Sequence, residues 1–311
     1  MFDVSEQMPQ NISNRFGVTA RPAPPPMAPR DLPPRPGKPV HSGIGIELVR
    51  LLSAEGDRLF TVRRARELSE TAGLSPGYLR QALHHLVASG WLVRLRQGLY
   101  ALSPTVPGVT PAHEFEIAMA LVEPAAISHW SALLHHGLTE QIPREVFVLT
   151  TTAASVPRPR GREAVKARNG YPAGGHAYRF IRVKPDRYFG TERVWVSDAR
   201  VTVTDLERTL LDGLARPRYC GDLAEVLHAF EVAASELDLA KLVRYALRLD
   251  AATAKRLGWV LERQGTEAFH LEPLRTVPVK GYRVLDASGP RRGPRNRRWM
   301  IQENLPGRVE P

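Results

Sequence analysis

The chain has 311 residues, a formal net charge of +11 and a single cysteine, Cys220. That length supports two domains with sizeable cores, and one thiol excludes both a disulfide framework and a zinc site built on paired cysteines. No apolar run reaches about 18 residues, so no spanning helix is expected. The opening MFDVSEQMPQ also lacks the basic-then-apolar layout of a secretory signal. These features predict a cytoplasmic protein with an anionic partner. Nucleic acid fits better than a membrane surface, because no strongly apolar helix with a basic rim occurs.

Residues 1–42 read as a disordered, partly polyproline tail, since the first 40 hold ten prolines, including Pro24-Pro25-Pro26 and Pro33-Pro34. Gly45 to Ala54 is an amphipathic helix with Ile46, Val49 and Leu52 or Leu51 inward. Thr61 caps a second helix, Val62 to Ala72, whose Val62, Ala65 and Leu68 face the core. After the turn Gly73-Leu74, Ser75 is the expected N-cap and Pro76 the first residue of a third helix. Leu79, Ala82, Leu83 and Leu86 form its apolar stripe. Gly77, Arg80, Gln81, His84 and His85 lie opposite, Tyr78 lies on the flank, and Gly90 stops the helix. Trp91, Val93 and Leu95 then alternate with Leu92, Arg94 and Arg96. Gln97-Gly98 turns the chain, and Leu99 to Leu102 return as the second strand of a hairpin.

Helix, helix, turn, helix and hairpin make a winged helix-turn-helix over residues 43–104, in which the third helix enters the major groove and the wing reaches phosphates or the minor groove. Between residues 58 and 103, Arg58, Arg63, Arg64, Arg66, Arg80, Arg94 and Arg96 face only Glu67 and Glu70, a net +5. Arg80, Gln81 and His84 are the candidates for base-edge contact. Arg94, Arg96 and Gln97, with Ser75 and Tyr78, are the candidates for backbone positioning.

A linker follows, then a second domain over residues 111–304 and a short tail over 305–311. Helices are expected at Glu114 to Val122 and Ala125 to His136, a buried strand at Glu145 to Thr152, and an alternating strand at His176 to Val183. Arg193 to Ser197 and Arg200 to Val203 are short strands. Thr204-Asp205-Leu206-Glu207 reads as a capping box opening a helix through Leu214, and further helices cover Leu223 to Ala234, Leu239 to Leu247 and Thr253 to Glu262. The fold class is therefore α+β, a winged helix-turn-helix followed by a larger α/β domain with its own core. Two basic clusters lie in this domain. One is Arg158, Arg160, Arg162, Lys166 and Arg168; the other is Arg291, Arg292, Arg295, Arg297 and Arg298, with Trp299 beside it. Arg158, Arg160, Arg291 and Arg292 are candidate phosphate contacts outside the wing.

In order along the chain, RQGLYALS, AISHWSALLHHGLTEQ, VFVLTTT, VTVTDLERTLLDGLARPRYCGDLAEVL and AKRLGWVLE resemble the AbiEi antitoxin family, from about residue 44 to residue 304. The resemblance implies the antitoxin of a type IV toxin–antitoxin pair. Its winged helix would repress its own operon, and its C-terminal antitoxin domain would oppose a nucleotidyltransferase-like toxin and assist DNA binding. It implies double-stranded promoter DNA with inverted repeats as one partner and the toxin as a functional partner, without requiring a stable complex. The alternative is a stand-alone winged-helix regulator with a sensory C-terminal domain.

Other chemistries find little support. His129 and His136 are seven apart on one expected helix face, but a metal site needs a third ligand that nothing local supplies. Asp205, Glu207 and Asp212 cluster as in a nuclease, yet no Glu-x-Lys pair accompanies them. Ser128 and His129 are helix neighbours that should not face each other. Neither a phosphate-binding G-x-x-x-x-G-K-[ST] loop nor a G-x-S-x-G elbow occurs. No catalytic residue, metal or cofactor is expected.

Overall fold

The computed structural model describes residues 42–158 and 170–305. Helices α1 (Ser42–Ala54), α2 (Val62–Ser69) and α3 (Leu79–Ala88) build the first part. Strands β1 (Leu59–Thr61), β2 (Leu92–Arg96) and β3 (Leu99–Leu102) form an antiparallel sheet in the order β1-β3-β2. This is a winged helix-turn-helix. Thr61 caps α2 by accepting from the Arg64 N–H at 3.3 Å. Sequence patterning does not reveal β1, because three residues are too few to show a period.

The start of α3 differs from expectation. Its N-cap position falls on Tyr78, which makes no side-chain cap bond. Ser75 contributes its carbonyl instead, accepting from the N–H groups of Tyr78 at 3.0 Å and Leu79 at 3.2 Å. Gly77 has low helix propensity, so the Ser75–Tyr78 segment is a turn leading into the helix rather than its first turn.

The wing sheet is apolar on both faces. Phe60, Leu92, Tyr100 and Leu102 pack with Leu48, Leu52, Ala65, Leu79, Leu83 and Leu86 in the winged-helix core. The alternate residues Leu59, Val93, Leu95, Leu99 and Ala101 pack with Phe115, Ile117, Val148, Tyr178 and Val201 in a second core. A strand covered on both sides reads as a continuous apolar run, which is what the LYAL of β3 is. The second core is therefore built partly from the wing.

The second part comprises α4 (Glu114–Leu121), β4 (Ala126–Ile127), α5 (His129–His135), β5 (Val146–Thr151), β6 (Tyr171–Ala173), β7 (His176–Val183), β8 (Thr191–Val196) and β9 (Ala199–Thr204). The six strands form one mixed sheet in the order β6-β7-β5-β4-β9-β8. Both faces of β5 are covered: Val146 and Val148 join the wing-side core, while Phe147 and Leu149 meet Ala126 and Ile181. Beyond lie α6 (Leu206–Ala215), α7 (Leu223–Val232), α8 (Leu239–Leu249), α9 (Ala251–Arg263) and α10 (Ala268–Arg275), sharing a core of Leu210, Leu214, Phe230, Leu242 and Leu257. Among the described residues, no helix is long and apolar enough to cross a membrane.

Two expectations are corrected here. Ala125 to His136 is not one helix: Ala126 and Ile127 form β4, pairing with Leu149 and Val148 on one side and Val203 on the other. Central sheet pairing overrides the local helical period. The cap of α6 is Asp205, which accepts from the Arg208 N–H at 2.9 Å, and not Thr204. The Thr204 hydroxyl is turned inward, 2.7 Å from that of Thr209 and 3.3 Å from the Ile127 carbonyl.

A small sheet of β10 (Arg283–Val284), β11 (Arg295–Asn296) and β12 (Ile301–Gln302) closes the chain. It positions Trp299, which is fully buried and donates Nε1–H to Glu262 at 2.6 Å. The ring occupies the space above Gly258 of α9, where an added Cβ would lie 2.0 Å from it. Gly258→Ala should therefore cost about 1–3 kcal/mol by overpacking, read as a lower urea midpoint with Trp299 emission shifted to the red. An unchanged midpoint would contradict this packing.

Candidate nucleic-acid interface

Helix α3 buries Leu79, Ala82, Leu83 and Leu86, the stripe read from sequence. Arg80, Gln81, His84 and His85 are all exposed on the other side, and Ser75 is exposed just before it. Tyr78 is half-buried against the winged-helix core. In β2, the register shifts between Arg94, opposite Tyr100, and Arg96, opposite Leu99. This bulge sends Leu95 into the second core while Arg94 and Arg96 stay exposed. Gln97-Gly98 makes the tip, with Gly98 at φ 77°, where a glycine is favoured.

Between the wing tip and the sheet lies a groove of about 1070 Å³. Arg94, Arg96, Gln97, Ser155, Arg158 and Arg182 contribute its polar lining, Tyr171 and Pro172 part of its wall, and among the described residues no carboxylate lines it. The structure thus gathers four sequence-predicted residues, Arg94, Arg96, Gln97 and Arg158, around one cavity. Sequence reasoning missed Arg182 and Tyr171. Arg182 occupies an outward position of the alternating HAYRFIRV strand and could have been found there. Tyr171 carries no such signal; its hydroxyl donates to the Leu95 carbonyl at 2.8 Å and ties the wing to β6. Arg160 lies outside the described residues. Arg291 and Arg292 do not reach this groove. They are exposed just before β11; Arg295 of β11 covers the Tyr282 ring at 5.2 Å, and Arg298 after it pairs with Glu262 at 2.7 Å.

Not all of the predicted +5 is presented. Arg64 is committed to Asp57 at 2.6 Å. Arg58 joins the two parts of the molecule, bonding Asp198 in the β8–β9 turn at 2.6 Å and lying 3.3 Å from Glu116 of α4. The Arg58 hydrogen bond holds the Asp198 carboxyl below the ordinary carboxylate range. Burial pushes Glu116 up, and one of its oxygens has no hydrogen-bond partner. Arg80 and Arg94, by contrast, make no ion pair among the described residues.

The acidic cluster of α6 is structural in its contacts. Asp205 meets Lys241 and Tyr245 at 3.2 and 3.1 Å, Glu207 accepts from the Asp238 N–H at 3.0 Å and pairs with Lys241 at 2.7 Å, and Asp212 holds the Arg208 guanidinium at 3.0 Å. Among the described residues, no group of three or more His, Cys, Asp and Glu is placed to hold a metal ion.

Ser128 and His129 do face each other, with Oγ 2.9 Å from Nδ1. They can because Ser128, the N-cap position, is extended and His129, the first residue of α5, has φ 51° rather than a helical value. Both are buried, His129 against Tyr219 and Phe147. His136 instead lies 2.8 Å from the Thr204 carbonyl through Nε2.

Residues 47–103 match the family model described as transcriptional regulator, AbiEi antitoxin. Over these residues the winged helix is similar to that of AbiEi antitoxin transcriptional regulators. The match takes in α1 from Glu47, α2, α3 and the wing, and so includes the exposed row of α3 and the groove arginines Arg94 and Arg96. Among curated proteins, none matches the chain. The crystal structure of the RV2827C protein from Mycobacterium tuberculosis superposes with a TM-score of 0.60, over 83% of this chain and 90% of that one, at 14% identity. At that identity the likeness shows the fold alone, and it extends through both parts of the chain.

Removing Arg58 would leave the Glu116 carboxylate half-buried without its cation. Arg58→Ala should cost about 1–3 kcal/mol in urea unfolding at neutral pH, and adding Glu116→Gln should restore part of the loss. A double variant no more stable than Arg58→Ala would contradict the assignment. Burial also lowers the His129 pKa to about 4. The unfolded chain takes up this proton near 6.5 and the native chain does not, so stability falls as pH drops through that window. His129→Asn tolerates the positive φ and should shrink the stability difference between pH 7 and pH 5 by about 2 kcal/mol. An unchanged pH slope would place the acid sensitivity elsewhere.

Proposed function

We propose that this protein is an antitoxin that represses its own promoter and opposes a nucleotidyltransferase-like toxin. In this reading α3 enters the major groove, Arg80, Gln81 and His84 read base edges, and Ser75, Tyr78 and Gln97 position the helix on the backbone. The observation that supports it most is the adjacency of two surfaces. The exposed polar row of α3 and a groove containing Arg94, Arg96, Arg158 and Arg182 both flank the same wing. Guanidiniums without neighbouring carboxylates suit phosphates, and donors on an exposed helix suit base edges. The sheet domain supplies two of those four arginines, so DNA binding draws on both parts, with Arg291 and Arg292 as a more distant contribution. The toxin role rests on the AbiEi match of the winged helix and on the antitoxin description that it carries. The protein acts in the cytoplasm, on promoter DNA with inverted half-sites.

Gel shifts with promoter and unrelated duplexes separate the roles. Arg94→Ala with Arg96→Ala should weaken both duplexes alike and lower the salt slope by about 2; adding Arg182→Ala should lower it further. Gln81→Ala should lose about 1–3 kcal/mol of discrimination while keeping the affinity for unrelated DNA. Unchanged binding in all of these would remove the winged helix from the mechanism. Failure of the intact protein to rescue cells expressing a nucleotidyltransferase-like toxin encoded beside it, or the lack of any such gene there, would leave a promoter-binding regulator without the antitoxin role.

A further inference from the structure

The six-stranded sheet has two edges, and they are finished differently. The β6 edge is three residues long and includes Pro172, which lacks an N–H and makes a poor template for another strand. The β8 edge runs over Thr191–Val196 with no proline. Val196 pairs with Ala199 across the two-residue turn Ser197-Asp198, Val194 with Val201 and Glu192 with Val203. The same ladder continues as the Gly190 carbonyl accepts from the Asp205 N–H at 3.0 Å. In a hairpin closed by two residues, the closing pair exchanges both hydrogen bonds, and bonding then alternates along the strand. Val196, Val194 and Glu192 therefore bond inward to β9. Thr191, Arg193 and Trp195 turn their N–H and C=O groups to the open edge. Among the described residues, these groups have no backbone partner.

The side chains match this exposure. Val194 and Val196 pack toward the second core, while Trp195 is 69% exposed and Arg193 is exposed on the same face. A tryptophan this open on an unprotected edge is a liability unless something pairs with it.

We propose that β8 pairs antiparallel with β8 of a second copy of this chain, about a two-fold axis through Val194, merging the two sheets into one. The strand itself selects the partner and register. A new ladder forms only where outward-facing residues lie opposite one another. Two symmetric registers meet this condition and still pair most of the strand. One is centred on Arg193 and sets that guanidinium against its own copy, which is unfavourable. The other is centred on Val194. It sets Arg193 against the partner's Trp195, twice by symmetry, Val194 against the partner's Val194, and Glu192 against the partner's Val196. Arginine over an indole is an attractive cross-strand pair, and the contact is isologous and closed. The pairing rests on the sheet edge alone and stands apart from the DNA reading.

The test uses the full chain with single cysteines added; the native thiol of Cys220 is buried. A two-fold at Val194 places that residue opposite itself in a non-hydrogen-bonded pair, the closer of the two pair types. Under mild oxidation Val194→Cys should give a disulfide-linked dimer and Arg193→Cys should not. Arg193→Pro removes an outward N–H and leaves the bonds to β9 intact, so it should raise the dimer Kd at least about tenfold in sedimentation equilibrium. Cross-linking through residue 193 in place of 194 would overturn the register. A protein that stays monomeric up to about 0.1 mM would overturn the pairing, as would Arg193 and Trp195 amides protected from exchange in the monomer, since another segment would then cover the edge.

Discussion

A three-stranded sheet that packs an apolar core on each of its faces organises this molecule. Alternate residues of β1, β2 and β3 enter two different cores, Phe60, Leu92 and Leu102 on one side and Leu95, Leu99 and Ala101 on the other. Each of the leucine and phenylalanine side chains among them gains about 1.5–3 kcal/mol from leaving water. Neither core is complete without the sheet between them. The wing is thereby fixed against α3, through the winged-helix core, and against the six-stranded sheet, through the second core. Tyr171 and Arg58 add polar ties across the same seam, on the Leu95 carbonyl and on Asp198.

That constraint decides where charge can be displayed. Arginines at the seam are used as struts: Arg58 is satisfied by two carboxylates, and Arg64 by Asp57 nearby. Arginines at the tip have no such partners among the described residues, and the bulge at Leu95 keeps Arg94 and Arg96 exposed while the residue between them is buried. Because the wing cannot swing away, Arg158 and Arg182 of the sheet domain stay beside it, and one groove is assembled from segments far apart in sequence. A rigid basic groove beside an exposed helix row is preorganised for a regular polyanion, since little ordering entropy is lost on contact.

Local signals made the winged helix readable. The stripe Leu79, Ala82, Leu83 and Leu86, the Thr61 cap and the Gln97-Gly98 turn are each set by neighbours in the chain, and the structure has all of them. What sequence missed was decided by distant partners. Ala126 and Ile127 continue a helical pattern but become a strand, because β5 and β9 offer central pairing positions. Thr204 reads as a cap but turns inward to Thr209, leaving the cap to Asp205. Arg182 reads as an ordinary outward residue and acquires its meaning only when the fold lays β7 beside the wing. The LYAL of β3 reads only as the return strand of a hairpin; its second covered face is set by distant partners such as Phe115 and Val201.

The shared wing sheet is the central claim, and native-state hydrogen exchange tests it most directly. Amides of β3 should exchange only through global unfolding, with the same free energy as the slowest amides of β5, because exposing the wing opens both cores together. Exchange of β3 at a markedly lower free energy, with β5 still protected, would show that the wing detaches on its own and would contradict the account.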